Sequence, residues 1–212
     1  MSVKLISVTS PKIEGLETAE DLISYCARVS NPSNQLNTET APRLLSYCIK
    51  HGHWSVFEMV DVCVEIKTSR AIAAQILRHR SFSFQEFSQR YSQATEIEPI
   101  QLRKQAEKNR QSSEEIIEDV VLNNVVQYSI KQSLQTYEKL IQQGVAKEQA
   151  RMVLPLATQS TLYMKGSVRS LIHYLELRTK EDTQKEHRDI ALEIQKLFIE
   201  QFPNVSQALG WA

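Results

Sequence analysis

Between residues 56 and 68 apolar and polar side chains alternate, with Val60, Val62, Val64 and Ile66 on one face, which predicts a half-buried strand. Residues 3–8 (VKLISV) alternate more loosely and predict a short strand; TQSTLYMK, 158–165, predicts another. Elsewhere the period is helical. Thr18 can cap a helix through TAEDLISYCARVS with acidic residues in its first turn. Thr38 or Thr40 can cap a second, running to about residue 50, with Leu44, Leu45, Cys48 and Ile49 at helical spacing and HGHW (51–54) ending it. Residues 69–80, SRAIAAQILRHR, predict a helix that delivers Arg78, His79 and Arg80 at its last turn.

After a polar excursion at 92–112 comes a long amphipathic helix over 114–144, stopped by Gly144. A short helix over 146–152 ends before Pro155. Another over 167–178 points Val168, Leu171, Ile172 and Leu175 inward, with Arg169 and His173 on a second face, and a last helix covers 184–202. There is no internal repeat and no low-complexity linker. The elements do not form regular βαβ units, so the predicted class is α+β: a single domain over 1–212, with a central, mainly antiparallel sheet packed by helices.

Composition narrows the function. Lys plus Arg and Asp plus Glu number 25 each, a balance that argues against a nucleic-acid coat or a polybasic membrane binder. The N-terminus lacks a signal-peptide core and no apolar run reaches spanning length, so the expected location is the cytoplasm. Cys26, Cys48 and Cys63 form no CxxC pair and sit in apolar runs, as buried thiols of a reducing compartment do. With five glycines in all, neither a GxGxxG fingerprint nor a P-loop is possible.

Against that neutral background, RHRSFSFQEFSQRY (78–91) concentrates Arg78, His79, Arg80 and Arg90 among Phe82, Phe84, Phe87, Tyr91 and serines. Cations at a helix C-terminus can be mere caps. With Arg90 and the hydroxyls added, the stretch suits a small anionic ligand: guanidinium grips phosphate bidentately, and rings cover a flat base. Arg151, Arg169 and Arg178 also stand in apolar settings, either paired with Glu148, Glu176 or Glu181, or sharing an anionic site. His51 and His53 offer a metal pair without further ligands, so no metal is expected. His187, in KEHRD, reads as a solvated helix residue, and Ser88 as a hydroxyl donor rather than a nucleophile.

The run Arg78-His79-Arg80, Ser83, Glu86-Phe87-Ser88-Gln89-Arg90-Tyr91 closely resembles the motif of the flavin-dependent thymidylate synthases. CARVS (26–30), HGHWSVFE (51–58), QILRHR (75–80), ARMVLP (150–155) and VRSLIHYLELR (168–178) extend the resemblance in family order. It implies conversion of dUMP to dTMP with methylenetetrahydrofolate as carbon donor, FAD as cofactor and NADPH as reductant, in a homotetramer whose sites are shared between subunits. It places Gln75, Arg78, Glu86, Phe87, Ser88, Gln89, Arg90, Arg151 and Arg178 around dUMP, with Ser88 and Arg90 at the phosphate and Arg178 at the uracil ring. It places His53, Ser55, Arg78, His79, Arg80, Glu86, Ser167, Val168, Arg169 and His173 around FAD. Gln85, Ser167 and Asp182 depart from residues common in the family. The family uses no cysteine nucleophile. Two other readings remain open from sequence: a nucleotide-binding protein that has lost turnover, and an RNA-binding module using its Arg and Phe residues.

Overall fold

In the computed structural model, residues 1–93 and 95–212 are described; Ala94, inside the polar excursion, lies outside them. The chain begins with β1 (Ser2–Val8), α1 (Ala19–Ala27), α2 (Ala41–Lys50), β2 (Asp61–Ser69), α3 (Arg70–Ile76) and β3 (Ser83–Glu86). It continues through β4 (Arg103–Gln105), β5 (Ser113–Ile116), α4 (Val120–Gln142), α5 (Lys147–Ala150), β6 (Gln159–Ser167), α6 (Val168–Arg178), α7 (Lys185–Gln201) and α8 (Pro203–Leu209). The main sheet has the order β1-β2-β6-β3 and is antiparallel throughout, which agrees with the α+β expectation; β4 and β5 form a separate hairpin.

β2 and β6 are the spine, paired over nine residues from Asp61↔Ser167 to Ser69↔Gln159. Because a strand's side chains alternate, one face carries Val62, Val64, Ile66, Leu162 and Met164, all buried. Helices α3, α6 and α7 cover that face with Ile72, Ile76, Val168, Leu171, Ile172, Leu175, Ile190 and Ile194. The other face carries polar contacts such as Lys165 Nζ to Asp61 Oδ2 at 2.5 Å and Tyr163 O–H to Glu65 Oε2 at 2.9 Å. Each spine strand turns straight into a helix, β2 into α3 at Ser69 and β6 into α6 at Ser167. Since the strands are antiparallel, the two helices start from opposite ends of the sheet. Ser167 caps α6 by accepting the Ser170 N–H.

Several boundaries differ from the periodicity. Residues 54–58 form a 3-10 turn, and the strand expected from 56 begins at Asp61. Gly52, at φ +69, lets the chain reverse after α2. α3 ends at Ile76, so Arg78–Arg80 lie beyond it in the following turn. The excursion contains β4, β5 occupies Ser113–Ile116 where the long helix was expected to begin, and that helix starts at Val120, capped by Asp119 Oδ1 accepting the N–H groups of Val121 and Leu122. Thr18 forms the expected capping box, with Asp21. Thr40 precedes α2, but its Oγ1 accepts from Arg28 Nη2 at 2.8 Å instead of capping. A further helix, α8, follows the last one expected. The buried Glu20 carboxylate holds its first turn, accepting Val205 N–H at 2.8 Å and Asn204 Nδ2 at 2.7 Å. Of the cysteines only Cys48 is buried; Cys26 and Cys63 are half-buried.

One close approach matters to the site. A Cβ on Gly166 would stand 2.5 Å from Cδ1 of Phe82, whose ring is held against His79, Phe84 and Tyr174. The ring has nowhere to retreat, so Gly166→Ala is expected to cost about 1–3 kcal/mol by overpacking. Urea unfolding of the two proteins measures this, and an unchanged midpoint contradicts it.

Candidate active site

The expected residues fall into three groups. The first lies where the turn after α3 meets the C-terminal end of α6. Arg178 donates from Nε to Nε2 of His79 at 3.0 Å. That bond requires a bare Nε2, hence a neutral His79 with its proton on Nδ1. Burial, helped by the charges of Arg178 and Arg78, lowers the His79 pKa to about 4, consistent with that state. The edge of the Tyr174 ring packs on His79 at 5.0 Å. With Nε committed, the two terminal nitrogens of Arg178 have no protein partner among the described residues.

Gln75, on α3, belongs to this group through His187, whose Nδ1 lies 3.3 Å from Gln75 Oε1 and whose Nε2 lies 3.1 Å from the Tyr174 hydroxyl. The solvated reading of His187 is therefore wrong: the side chain is fully buried. A charged neighbourhood in sequence hid it, although α7 turns this position, together with Ile190 and Ile194, to the buried side of the helix. Burial lowers its pKa to about 4 as well, again with help from Arg178.

Both histidines bear on acid stability. Their folded pKa values, about 4, lie below the ordinary 6.5, so the unfolded chain binds more protons between those limits. Stability is then full above about pH 6.5 and is lost as pH falls toward 4. The melting temperature is expected to drop between pH 7 and pH 5, before most carboxylates titrate, and a flat profile there contradicts the assignment.

The second group surrounds β3 and α5. Glu86 Oε1 accepts the Ser160 hydroxyl at 2.8 Å and lies 3.5 Å from Arg70 Nη1, and Oε2 has no partner among the described residues. Ser88, Arg90, Tyr91, Ala146, Lys147 and Glu148 line an open cleft of about 500 Å³. Arg90 Nε stands 3.5 Å from the Glu148 carboxylate, and Arg151 Nε donates to the Glu148 backbone carbonyl at 3.3 Å. Glu148 thus pairs with Arg90, and Arg151 keeps its terminal nitrogens. Gln89 is buried, with its Nε2 lacking a hydrogen-bond partner among the described residues. Phe87 lines a neighbouring cavity of about 270 Å³ with Lys67, Ser160 and Thr161.

The third group lies at the N-terminal half of α6. Arg169 Nη1 bonds Glu58 Oε1 at 3.2 Å, and His173 meets the edge of Trp54 at a centroid distance of 4.8 Å. His53 and Ser55 flank Trp54, and Ser167 and Val168 open the helix. His53 and His51 gather around Tyr47, at 5.7 and 4.2 Å between ring centroids. Among the described residues no cluster of three or more potential metal ligands occurs.

These groups are not one pocket within the chain. Arg169 and Arg178 are nine residues apart on α6, which puts them about 13 Å apart along the axis and on opposite sides of it. The donor set nevertheless suits a flavin nucleotide. Arg78 and Arg80 are exposed cations without carboxylate partners among the described residues, and Trp54, His53 and His173 supply flat faces. Trp54 and Tyr174 were not singled out from sequence, and His187 was singled out there only as solvated. Tyr174 carried a signal, since it follows inward-facing Leu171 by three positions.

Comparisons with known proteins agree with this chemistry. The family model described as thymidylate synthase complementing protein matches residues 12–204. A protein of Paramecium bursaria Chlorella virus 1, described as a probable flavin-dependent thymidylate synthase, is 53% identical over 215 residues, with all of both chains covered. The flavin-dependent thymidylate synthase of Synechocystis sp. is 52% identical over 218 residues, again with both chains fully covered. A crystal structure of the UMP/dUMP methylase PolB from Streptomyces cacaoi, bound with 5-Br dUMP, has the same fold. Its TM-score is 0.82 at 22% identity, over 99% of this chain and 94% of that one. The chain belongs to the flavin-dependent thymidylate synthases.

Proposed function

We propose that the protein converts dUMP to dTMP by reductive methylation, with FAD as its flavin, NADPH as reductant and methylenetetrahydrofolate as carbon donor, and that it works as a homotetramer. The observation that carries the reading is Arg178, tethered through Nε to a neutral His79 with both terminal nitrogens left unspent. A fixed, undeprotonatable charge at the uracil ring favours negative charge developing there as C5 becomes nucleophilic. No cysteine attack is needed, and burial raises the pKa of all three thiols, which disfavours the thiolate.

Arg78, His79, Arg80, Arg169 and His173, with His53, Ser55, Ser167 and Val168, would hold the flavin nucleotide. When bound, the flavin supplies the redox chemistry of the reductive step, with electrons taken from NADPH. Gln75, Glu86, Phe87, Ser88, Gln89, Arg90 and Arg151 would hold dUMP. Glu86, an acceptor, suits a sugar hydroxyl, while Ser88, Arg90 and Arg151 suit the phosphate. The separation of the three groups supports sites completed by residues from several copies, and so does the exposed apolar surface of α4. No helix among the described residues is long and apolar enough to cross a membrane.

The test is the visible spectrum of the purified protein under anaerobic NADPH, with and without dUMP. Flavin bands that bleach faster with dUMP, followed by dTMP formation when methylenetetrahydrofolate is added, are expected; a protein that takes up no flavin overturns the reading. Within it, Arg90→Ala is expected to weaken dUMP binding about tenfold to a hundredfold, the value of a charged hydrogen bond, with little change in flavin affinity. Isothermal titration with each ligand checks this, and equal dUMP affinity in both proteins contradicts it.

A further inference from the structure

The polar contacts around Gln75 form one continuous series whose direction can be worked out. Gln75 Oε1 can only accept, so His187 Nδ1 must carry the proton. The neutral ring then presents a bare Nε2, which takes the Tyr174 O–H at 3.1 Å. On its other side Gln75 donates from Nε2 to Gln184 Oε1 at 2.6 Å, and Gln184 donates from Nε2 to Glu186 Oε2 at 3.0 Å. Glu186 is a fixed acceptor: burial alone would raise its pKa, but the Arg103 guanidinium bonded to its Oε1 holds it below the usual carboxylate range. Arg103 is itself steadied by Nε donating to Ser113 Oγ at 2.8 Å across the β4–β5 hairpin.

Every donor in the series, from Tyr174 to Gln184, points toward Glu186. Reversing the Gln75 amide would set its NH2 against the His187 N–H and its carbonyl against the Gln184 carbonyl. An ordinary exposed glutamine flips freely; this one cannot. One N–H and one carbonyl lone pair of Gln75 remain uncommitted, always in the same orientation.

We infer that His187 is a positioning residue for the nucleotide site, acting through Gln75 by fixing which way its amide faces, with Gln184 completing the clamp from the other side. His187 touches neither ligand; it sets the donor and acceptor that Gln75 presents. This rests on the placement of Gln75 at dUMP proposed above, and it assigns a role to a buried histidine that the cofactor and phosphate contacts leave unused.

The test is a double-mutant cycle read by dUMP affinity in the flavin-loaded protein. His187→Leu and Gln75→Ala are each expected to weaken dUMP binding roughly tenfold, and the double variant no more than Gln75→Ala alone. His187→Asn, whose amide nitrogen can replace Nδ1 as donor to Gln75, is expected to recover much of the loss. Gln184→Ala alters an exposed side chain, so it tests the same clamp without disturbing the core; its loss is expected to vanish in the Gln75→Ala background too. Losses that add, or single variants that bind dUMP as wild type does, overturn the role of His187 while leaving the synthase reading intact. Failure of the wild-type protein to bind dUMP overturns the synthase reading, and this inference with it.

Discussion

Arg178→Ala is expected to keep its flavin yet form dTMP about 10²–10³-fold more slowly, the usual consequence of removing one preorganised charge from a developing anion. The geometry makes the loss specific. Arg178 is held by one hydrogen bond, Nε–H to His79 at 3.0 Å, and that bond aims the rest of the guanidinium outward. Lysine offers a point charge on a flexible stem. Its single nitrogen cannot bond His79 and also place donors where the two terminal guanidinium nitrogens stand, so Arg178→Lys is expected to rescue little. Removing Arg178 also removes the second cause of the low His79 pKa, leaving burial as the main one, so that pKa is expected to rise from about 4 toward its ordinary value. Steady-state dTMP formation alongside the bound-flavin absorbance measures the effect, and full turnover in the alanine variant excludes the role.

Charging the exposed face of α4 is expected to abolish activity without unfolding the chain. Val121, Val125 and Tyr128 follow one another at helical spacing and are 70%, 56% and 65% exposed. Tyr91, Met152 and Leu156 are likewise open, at 85%, 77% and 71%. A 23-residue helix that buries only Ile130 and Tyr137 in its own chain, and shows water a stripe of valines, is the surface that the proposed homotetramer is expected to use. The helix packs against α5, which borders the Ser88–Arg90 cleft, so its docking would bring that cleft toward a neighbour's residues. Val121→Glu combined with Val125→Glu is expected to reduce the particle to the mass of one chain, 24.3 kDa. Helical circular dichroism should persist while dTMP formation falls more than a hundredfold, the result expected if the proposed assembly brings the three groups of site residues together. Unchanged mass and turnover contradict both the interface and the shared sites.

The sequence by itself determined the elements whose side chains repeat with a period and meet a core on one side. The alternation through Val60, Val62, Val64 and Ile66 marked β2, and Val168, Leu171, Ile172 and Leu175 marked the inner face of α6, because burial on one face is written directly into local spacing. It also carried the chemistry: the arginines, hydroxyls and aromatics of 78–91 stand out against a neutral chain, and side-chain identity needs no fold to be read. What the sequence left open depended on partners far along the chain. β3 is four residues long and exists because Ser83–Glu86 pair with Leu162–Lys165. β4 and β5 pair only with each other, β4 inside a stretch whose composition is that of a loop and β5 where the helical period was expected to begin. His187 looked solvated among charged neighbours until α7 packed it between Tyr174 and Gln75, 112 residues away in sequence. The opening motif, contiguous in sequence, is divided by the fold. Arg78–Arg80 lie near the end of α6, Glu86 sits on the sheet edge beside Ser160, and Ser88–Tyr91 border α5. Local periodicity records which face of an element meets apolar surroundings, whereas a hydrogen bond between distant residues depends on where the whole chain places them, and only the tertiary structure decides that.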